Sequence, residues 1–499
     1  MVFLKGRVRK RRGCCMGIGN LITLIVSFIM VINIILCAGV LFFERRDIGY
    51  TWAWIMVLFS IPILGFFIYI FFGRKLKQKN FYRLTKEERR FLQSAVDQQL
   101  CDLEKERSKL PFLLNKYASL IRMNLISSSA LLSRDNQIQI FNDGKQKFIS
   151  LFEDIKAAKK EINIQYYIIQ PDALGRKLRD ELIKKAKEGV RVRLLYDEIG
   201  SKRIPPDFFE ELSSVGGEVE VFFPSLFRLV NFRINNRNHR KLCVIDGKVA
   251  YLGGFNVGDE YLGLNKEFGY WRDTHLRIMG DAVNDIQSRF ILDWHQAGNH
   301  QNINYDDFSF YKEKQVGSSP VQIVSSGPNS YTEHLKNMYM KLILNAKHSV
   351  YIQTPYFIPD PSFMDACKIA LLSGIDLRIM IPSKPDHPFV YWANLAYTGE
   401  LLDYGAKVLL YEKGFLHAKT IVVDEQVGSV GTMNIDARSF RLNFEVNAVI
   451  YDEQIAKQLY KTFHEDSQVS SELTPKRYRD RTLLTKMKEG ISRLLSPIL

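Results

Sequence analysis

The chain has 499 residues, 46% hydrophobic and 25% charged, the balance of a folded protein large enough for two or three domains. Its six cysteines are scattered without CxxC spacing, which argues against a zinc site or a disulfide framework. The formal charge of +15 is confined to residues 1–12, 74–79 and 475–499, leaving the body near neutral, so a nucleic-acid partner is not expected.

In chain order, a basic tail (1–13) comes first. Residues 14–43 and 48–73 then carry no charged side chain, and each exceeds the ~20 apolar residues that cross a bilayer as a helix. Glu44, Arg45, Arg46 and Asp47 between them sum to zero, whereas both flanks are basic. The positive-inside rule therefore predicts a two-helix hairpin with both termini and the body in the cytoplasm, facing an anionic inner leaflet. Thr85 and Glu88 predict a capping box opening a helical connector over 80–125. Alternating strand and helix patterns follow, in a first lobe over 126–295. A polar linker spans 296–319 and a second lobe 320–474. A basic amphipathic helix spans 475–499, with Leu484, Met487, Ile491 and Leu495 on one face. It suits an anionic lipid interface, and docking on the body is the competing reading.

The body repeats itself. AAKKEINIQYYIIQPD (157–172) is echoed by NAKHSVYIQTPYFIPD (345–360). His239, Lys241, Asp246, Gly253 and Asn256 are matched at identical spacing by His417, Lys419, Asp424, Gly431 and Asn434. Glu267 and Glu445 also fall at matching distances. The chain is thus an internal duplication with a period of ~180 residues, too long for a solenoid, and α/β in class.

On a strand, positions i and i+2 face one side, so each histidine lies beside its lysine. Asp246-Gly247 is a hairpin-turn signal. Three readings of the histidines compete. A structural histidine is weakened by the exact duplication. A metal ligand is disfavoured by the adjacent ammonium, and no cofactor is called for. Phosphoryl chemistry fits best: lysine and asparagine suit phosphate oxygens, and histidine can be nucleophile or general acid.

The doubled pattern HxK, four residues, Asp, six residues, Gly-[Gly/Thr]-x-Asn resembles the phospholipase D superfamily. With WRDTH (271–275), TPYFIPD (354–360), PSKPD (382–386) and GFLHAKT (414–420) it is similar to the bacterial cardiolipin synthase family. That resemblance implies two homologous phospholipase D-like lobes, mixed sheets flanked by helices, behind a transmembrane hairpin in a bacterial cell membrane. It implies His239, Lys241, Asp246, His417, Lys419 and Asp424 as the catalytic set, with His239 as nucleophile and His417 as general acid. Asn256 and Asn434 would bind the substrate phosphate. Asp246 and Asp424, in turns, would orient the motif. It further implies pairing across the lobes, Glu445 with His239 and Asp273 with His417; Glu267 is the other candidate for the second pair. The implied reaction moves a phosphatidyl group between two phosphatidylglycerol molecules. The same constellation also suits a phospholipase D-type hydrolase or a phosphatidylserine synthase, and spacing does not choose among acceptors. Residues 225–241, which interleave Phe and Leu with Arg, would either guide anionic headgroups or form a packed basic strand. No oligomeric state follows from the sequence.

Overall fold

The computed structural model describes residues 18–43, 48–69, 73, 81–82, 84–105, 107–225, 235–298, 305–311, 316–384 and 386–496. The basic segments 1–13 and 74–79, the charged residues 44–47, most of the expected headgroup guide and parts of the 296–319 linker lie outside them. The chain divides into an N-terminal unit, within residues 1–75, and a body that takes up the described residues from Phe81 onward.

In the N-terminal unit, Ile18–Phe43 is one continuous helix, and Gly19–Gly39 within it is apolar and long enough to cross a membrane. The stretch 48–73, expected as a second continuous span, is not one. It forms Ile48–Ser60 and Pro62–Ile68, separated by a bend at Ile61. Pro62 is the cause: it has no N–H to give, so it starts a new helix at the first position.

The body opens with the helix Lys86–Lys105. Thr85 N–H donates to Glu88 Oε2 (2.6 Å) and Glu88 N–H to Thr85 Oγ1 (3.2 Å), the reciprocal capping box expected there. Beyond it the duplication becomes architecture. Leu132–Phe141 and Ser319–Ser326 pair antiparallel at a central seam. Outward from the first run His275–Met279, Val249–Gly253, Leu242–Ile245, Glu161–Tyr166, Arg191–Asp197 and Glu218–Phe222. Outward from the second run Asn443–Ile450, Val427–Gly431, Thr420–Val423, Ser349–Gln353, Asp376–Pro382 and Lys407–Tyr411. These strands match one for one, antiparallel near the seam and parallel farther out, and the second series carries one more rim strand, Ser470–Glu472, antiparallel to Lys407–Tyr411.

Helices cover the sheet for reasons visible in the chain. Asp172 and Asp360, equivalent in the repeat, cap Ala173–Lys187 and Pro361–Leu372 by accepting from Gly175 N–H and Phe363 N–H (both 3.1 Å). The first helix buries Leu174, Leu178, Leu182 and Ile183 on one face and stops before Gly189, whose φ of +85° suits a left-handed terminus. A central cluster including Phe290, Trp294, Val446, Ala448, Leu459 and Phe463 joins both halves of the body.

At the C-terminus, Leu483–Leu494 is a helix that docks on the body through its polar side. Glu489 and Ser492 are buried, while Leu483, Leu484, Met487, Ile491 and Leu494 face out. Leu495, expected in the apolar stripe, is the C-terminal cap and half-buried; Leu494 takes its place.

Candidate active site

Two short parallel pairings carry the site. Arg237–Asn238, just before the first histidine, pairs with Asn443–Phe444 of the other half, and His239 N–H donates to Phe444 O (3.0 Å). Gly414–Leu416, just before the second histidine, pairs with Tyr270–Arg272, and His417 N–H donates to Arg272 O (2.7 Å). In both cases the residue after the paired segment is a carboxylate, so the register itself delivers an acid to each imidazole. Glu445 lies 2.9 and 3.0 Å from His239 Nδ1, and Asp273 lies 2.6 Å from His417 Nδ1. With Nδ1 so engaged, Nε2 is the free ring nitrogen of each histidine.

The carboxylates are fully buried but differently housed. Glu445 accepts from Thr432 Oγ1–H (2.6 Å) and, more weakly, from Asn443 Nδ2–H (3.3 Å). Asp273 accepts from Thr274 N–H (2.7 Å), and the position equivalent to Thr432 is Gly254. A Cβ there would stand 1.9 Å from Asp273 Oδ1, so only glycine leaves room for the shorter acid. Glu267, expected as a rival for this place, is exposed in a turn, its N–H donating to Asn265 Oδ1. It precedes the Tyr270–Arg272 strand, whereas the register needs the residue that follows it.

Lys241 and Lys419 are buried beside the histidines, each donating to the carbonyl of the histidine two residues before, Lys241 at 2.7 Å. Tyr167 packs edge-on to His239 with centroids 4.9 Å apart, and Trp271 lies 5.1 Å from the His417 ring. Asn434 is buried with Oδ1 lacking a partner. Asn256 is instead engaged with protein: its Oδ1 accepts from Ile168 N–H (3.1 Å) and its Nδ2 donates to Tyr261 Oη (3.2 Å).

Asp246 and Asp424 sit at the far end of the motif strands from the histidines. Asp246 accepts from the N–H groups of Lys159, Lys160 and Glu161 (2.7–2.9 Å). Asp424 accepts from those of Lys347, His348 and Ser349 and from Lys116 Nζ. Grouping them with the reacting residues does not fit this geometry: their oxygens are used in fixing the hairpin to the neighbouring strand.

Burial and a shared positive field set the charge states. Burial, reinforced by Lys241, lowers His239 to about 4 against the pull of Glu445. Burial, reinforced by Lys419, lowers His417 to about 3 against that of Asp273. Burial also lowers Lys419 to about 8 and Lys241 well below its ordinary value. Asp273 feels burial pushing it up, yet Lys419 and His417 hold it below the usual carboxylate value. Positive charge on the imidazoles and lysines is thus disfavoured by burial and by one another, and an anionic phosphodiester would supply the counter-charge that favours it.

A deeper layer escaped the sequence reading. Arg240 Nε donates to Glu445 O (3.2 Å) and its guanidinium to Asp293 (2.6 Å). Tyr82 Oη donates to the same aspartate (2.7 Å), as does Gln165 Nε2 (2.8 Å). On the other side Arg272 donates to Asp273 O and, at 2.8 Å, to Asp466, which also accepts from Gln353 Nε2 at 2.8 Å. Each acid's main chain thus rests on a buried arginine held by an aspartate of the covering helix. The signal was present: Gln165 and Gln353 occupy the same place in the two repeats.

Comparison with known proteins agrees with this architecture. A family model described as cardiolipin synthase, PLD-like domain matches residues 151–327 and 339–467, and one described as Phospholipase_D-nuclease N-terminal matches 25–74. The fold and the doubled site are those of the phospholipase D superfamily. Within it, the chain belongs to the cardiolipin synthase family. It is 53% identical to the major cardiolipin synthase ClsA of Bacillus subtilis, over 96% of this chain and 99% of that one. It is 51% identical to a cardiolipin synthase of Staphylococcus aureus, over 94% and 95%. Among solved structures, phosphatidylserine synthase from Haemophilus influenzae shares the fold, with a TM-score of 0.60 at 19% identity, covering 77% of this chain and all of that one.

Proposed function

We propose that this phosphatidyltransferase makes cardiolipin from two molecules of phosphatidylglycerol through a phosphohistidine. His239 Nε2 attacks the phosphorus of the first lipid. The bound anionic phosphodiester favours the imidazolium, so His417 takes up a proton from water on Nε2; the bond from phosphorus to the headgroup oxygen then breaks, His417 gives that oxygen this proton, and glycerol leaves. A terminal hydroxyl of the second lipid then attacks the phosphohistidine. His417 takes back its proton, the P–N bond breaks, and cardiolipin departs. One phosphodiester replaces another, so the exchange is close to thermoneutral and needs no nucleotide.

The observation that carries this reading is the pair of half-sites, each an imidazole held through Nδ1 by a buried acid from the other half, with two buried lysines beside them. Glu445 and Asp273 would fix the tautomers and stabilise the cations that form. Lys241, Lys419 and Asn434 would hold the phosphoryl oxygens. Asn256 would serve by shaping the wall around Ile168. The apolar helix Ile18–Phe43 and the apolar segment after it support anchorage in a membrane, with two passes and a cytoplasmic body as the orientation that the basic flanks favour.

The test is lipid analysis after incubating the purified protein with phosphatidylglycerol alone. Cardiolipin and glycerol in equal amounts are expected. Phosphatidic acid as the only product would mean a hydrolase instead, and full activity in His239→Ala would sink the phosphohistidine.

A further inference from the structure

The C-terminal helix Leu483–Leu494 is inverted relative to a helix on a soluble surface. Its inward stripe is polar: Thr485, Glu489, Ser492 and, just beyond, Ser496 recur at helical spacing, half-buried or buried. Polar contacts hold it there. Arg481 Nε donates to Glu489 Oε2 (2.7 Å), Arg493 to Glu400 Oε2 (2.8 Å) and Tyr397 Oη to Ser496 Oγ (3.2 Å). Lys488 lies over Trp392 and Arg493 over Tyr397. Gly399, opposite, admits the Tyr478 ring, which a Cβ would meet at 2.1 Å.

The outward stripe is Leu483, Leu484, Met487, Ile491 and Leu494, from 51% to 81% exposed. Five large apolar side chains in a row on one exposed face need a cover that is not water. Lys486 and Lys488 flank the stripe on the helix itself, and Lys476, Arg477 and Arg479 of the short helix Pro475–Arg479 just before it are exposed as well. A second copy of the chain would bring these like charges together. Anionic lipid would neutralise them.

We infer that the outward face of Leu483–Leu494 is a bilayer-docking surface that lies in the headgroup zone of an anionic membrane, its leucines, methionine and isoleucine among the acyl chains and its basic rim on the phosphates. The helix is rigidly seated on the body by its polar side, so it works as a fixed foot, setting the height and tilt of the body at the lipid surface. This is a contact additional to the N-terminal apolar helix. It rests on exposure and charge, and on the proposed reaction only in that the substrate is itself an anionic lipid.

The test replaces Met487 of the full-length protein with a benzophenone amino acid and irradiates it in bilayers containing phosphatidylglycerol. A chain–phospholipid adduct is expected, several-fold above that from the same probe at the exposed Lys461, and stronger than in phosphatidylcholine bilayers. A chain–chain adduct would overturn the inference in favour of a second copy, and no adduct above the Lys461 background would overturn it outright. Equal yields in the two lipids would remove the anionic preference. None of these readouts needs turnover, so they stand apart from the fate of the proposed reaction. As a second measurement, Leu484→Glu combined with Met487→Glu and Ile491→Glu should slow lipid turnover several-fold in bilayers and leave it unchanged in detergent micelles. Equal rates in bilayers, or equal losses in both media, would refute a docking role.

Discussion

Each histidine of this site is tuned by three neighbours: the acid on Nδ1, the lysine two residues on, and an aromatic ring angled against it. Removing the acid's charge while keeping its shape tests the first. Glu445→Gln or Asp273→Asn should lower kcat on the order of 10²–10⁴-fold with a smaller change in KM, since the acid stabilises a cation that forms during the reaction. The charge states predict the pH response. With Lys419 lowered to about 8, its ammonium is lost as pH rises through that value, so KM for phosphatidylglycerol should climb above pH 8, measured as initial rates in bilayers of fixed composition. The histidines predict stability. Their folded values, about 4 and about 3, lie below the ordinary 6.5, so below pH 6.5 the unfolded chain binds protons that the folded chain refuses. Thermal stability should therefore fall as pH drops from 6.5 towards 4, and His417→Gln should flatten part of that slope.

At the level of elements, the short strands on either side of the cleft matter more than their size implies. Arg237–Asn238 and Gly414–Leu416 place the histidines, and their partners place the acids. The arginine–aspartate ties beneath them hold the main chain in register. Asp293→Ala should cost about 3–5 kcal/mol, the usual penalty for leaving a buried arginine without its partner, read from chemical denaturation. The sequence made the motif strands, the hairpin turns and the repeat legible, because alternation, Asp-Gly and exact spacing are local signals. It did not reveal Asp293 or Asp466, which lie on helices far along the chain from the arginines they hold. It led to Glu267 as a second candidate because the spacing matched. The three-dimensional match for Glu445 is Asp273, after an insertion of turn that shifts the count. The break at Pro62 is a simpler lesson: uninterrupted apolarity was read as an uninterrupted helix, although proline marks a boundary.

On the scale of the whole molecule, neither half is complete. Each contributes its own histidine, lysine and asparagine, and each lends its acid to the other. The halves should therefore fail together: His239→Ala, His417→Ala and the double variant should lose activity to the same residual level, without additivity, when initial rates of cardiolipin formation are compared. The continuous sheet supports this coupling, since the seam between Leu132–Phe141 and Ser319–Ser326 fixes the two half-sites relative to each other.

That seam also carries a history. Its two strands are equivalent positions of the repeat and run antiparallel, the arrangement expected of one surface meeting its own copy. A half-length ancestor could have closed the same cleft as a homodimer, with both acids supplied in trans. Fusion of two such genes would then have released each half from matching the other. Glu445 with its threonine and Asp273 with its glycine record that divergence, two answers to one constraint now written in a single chain.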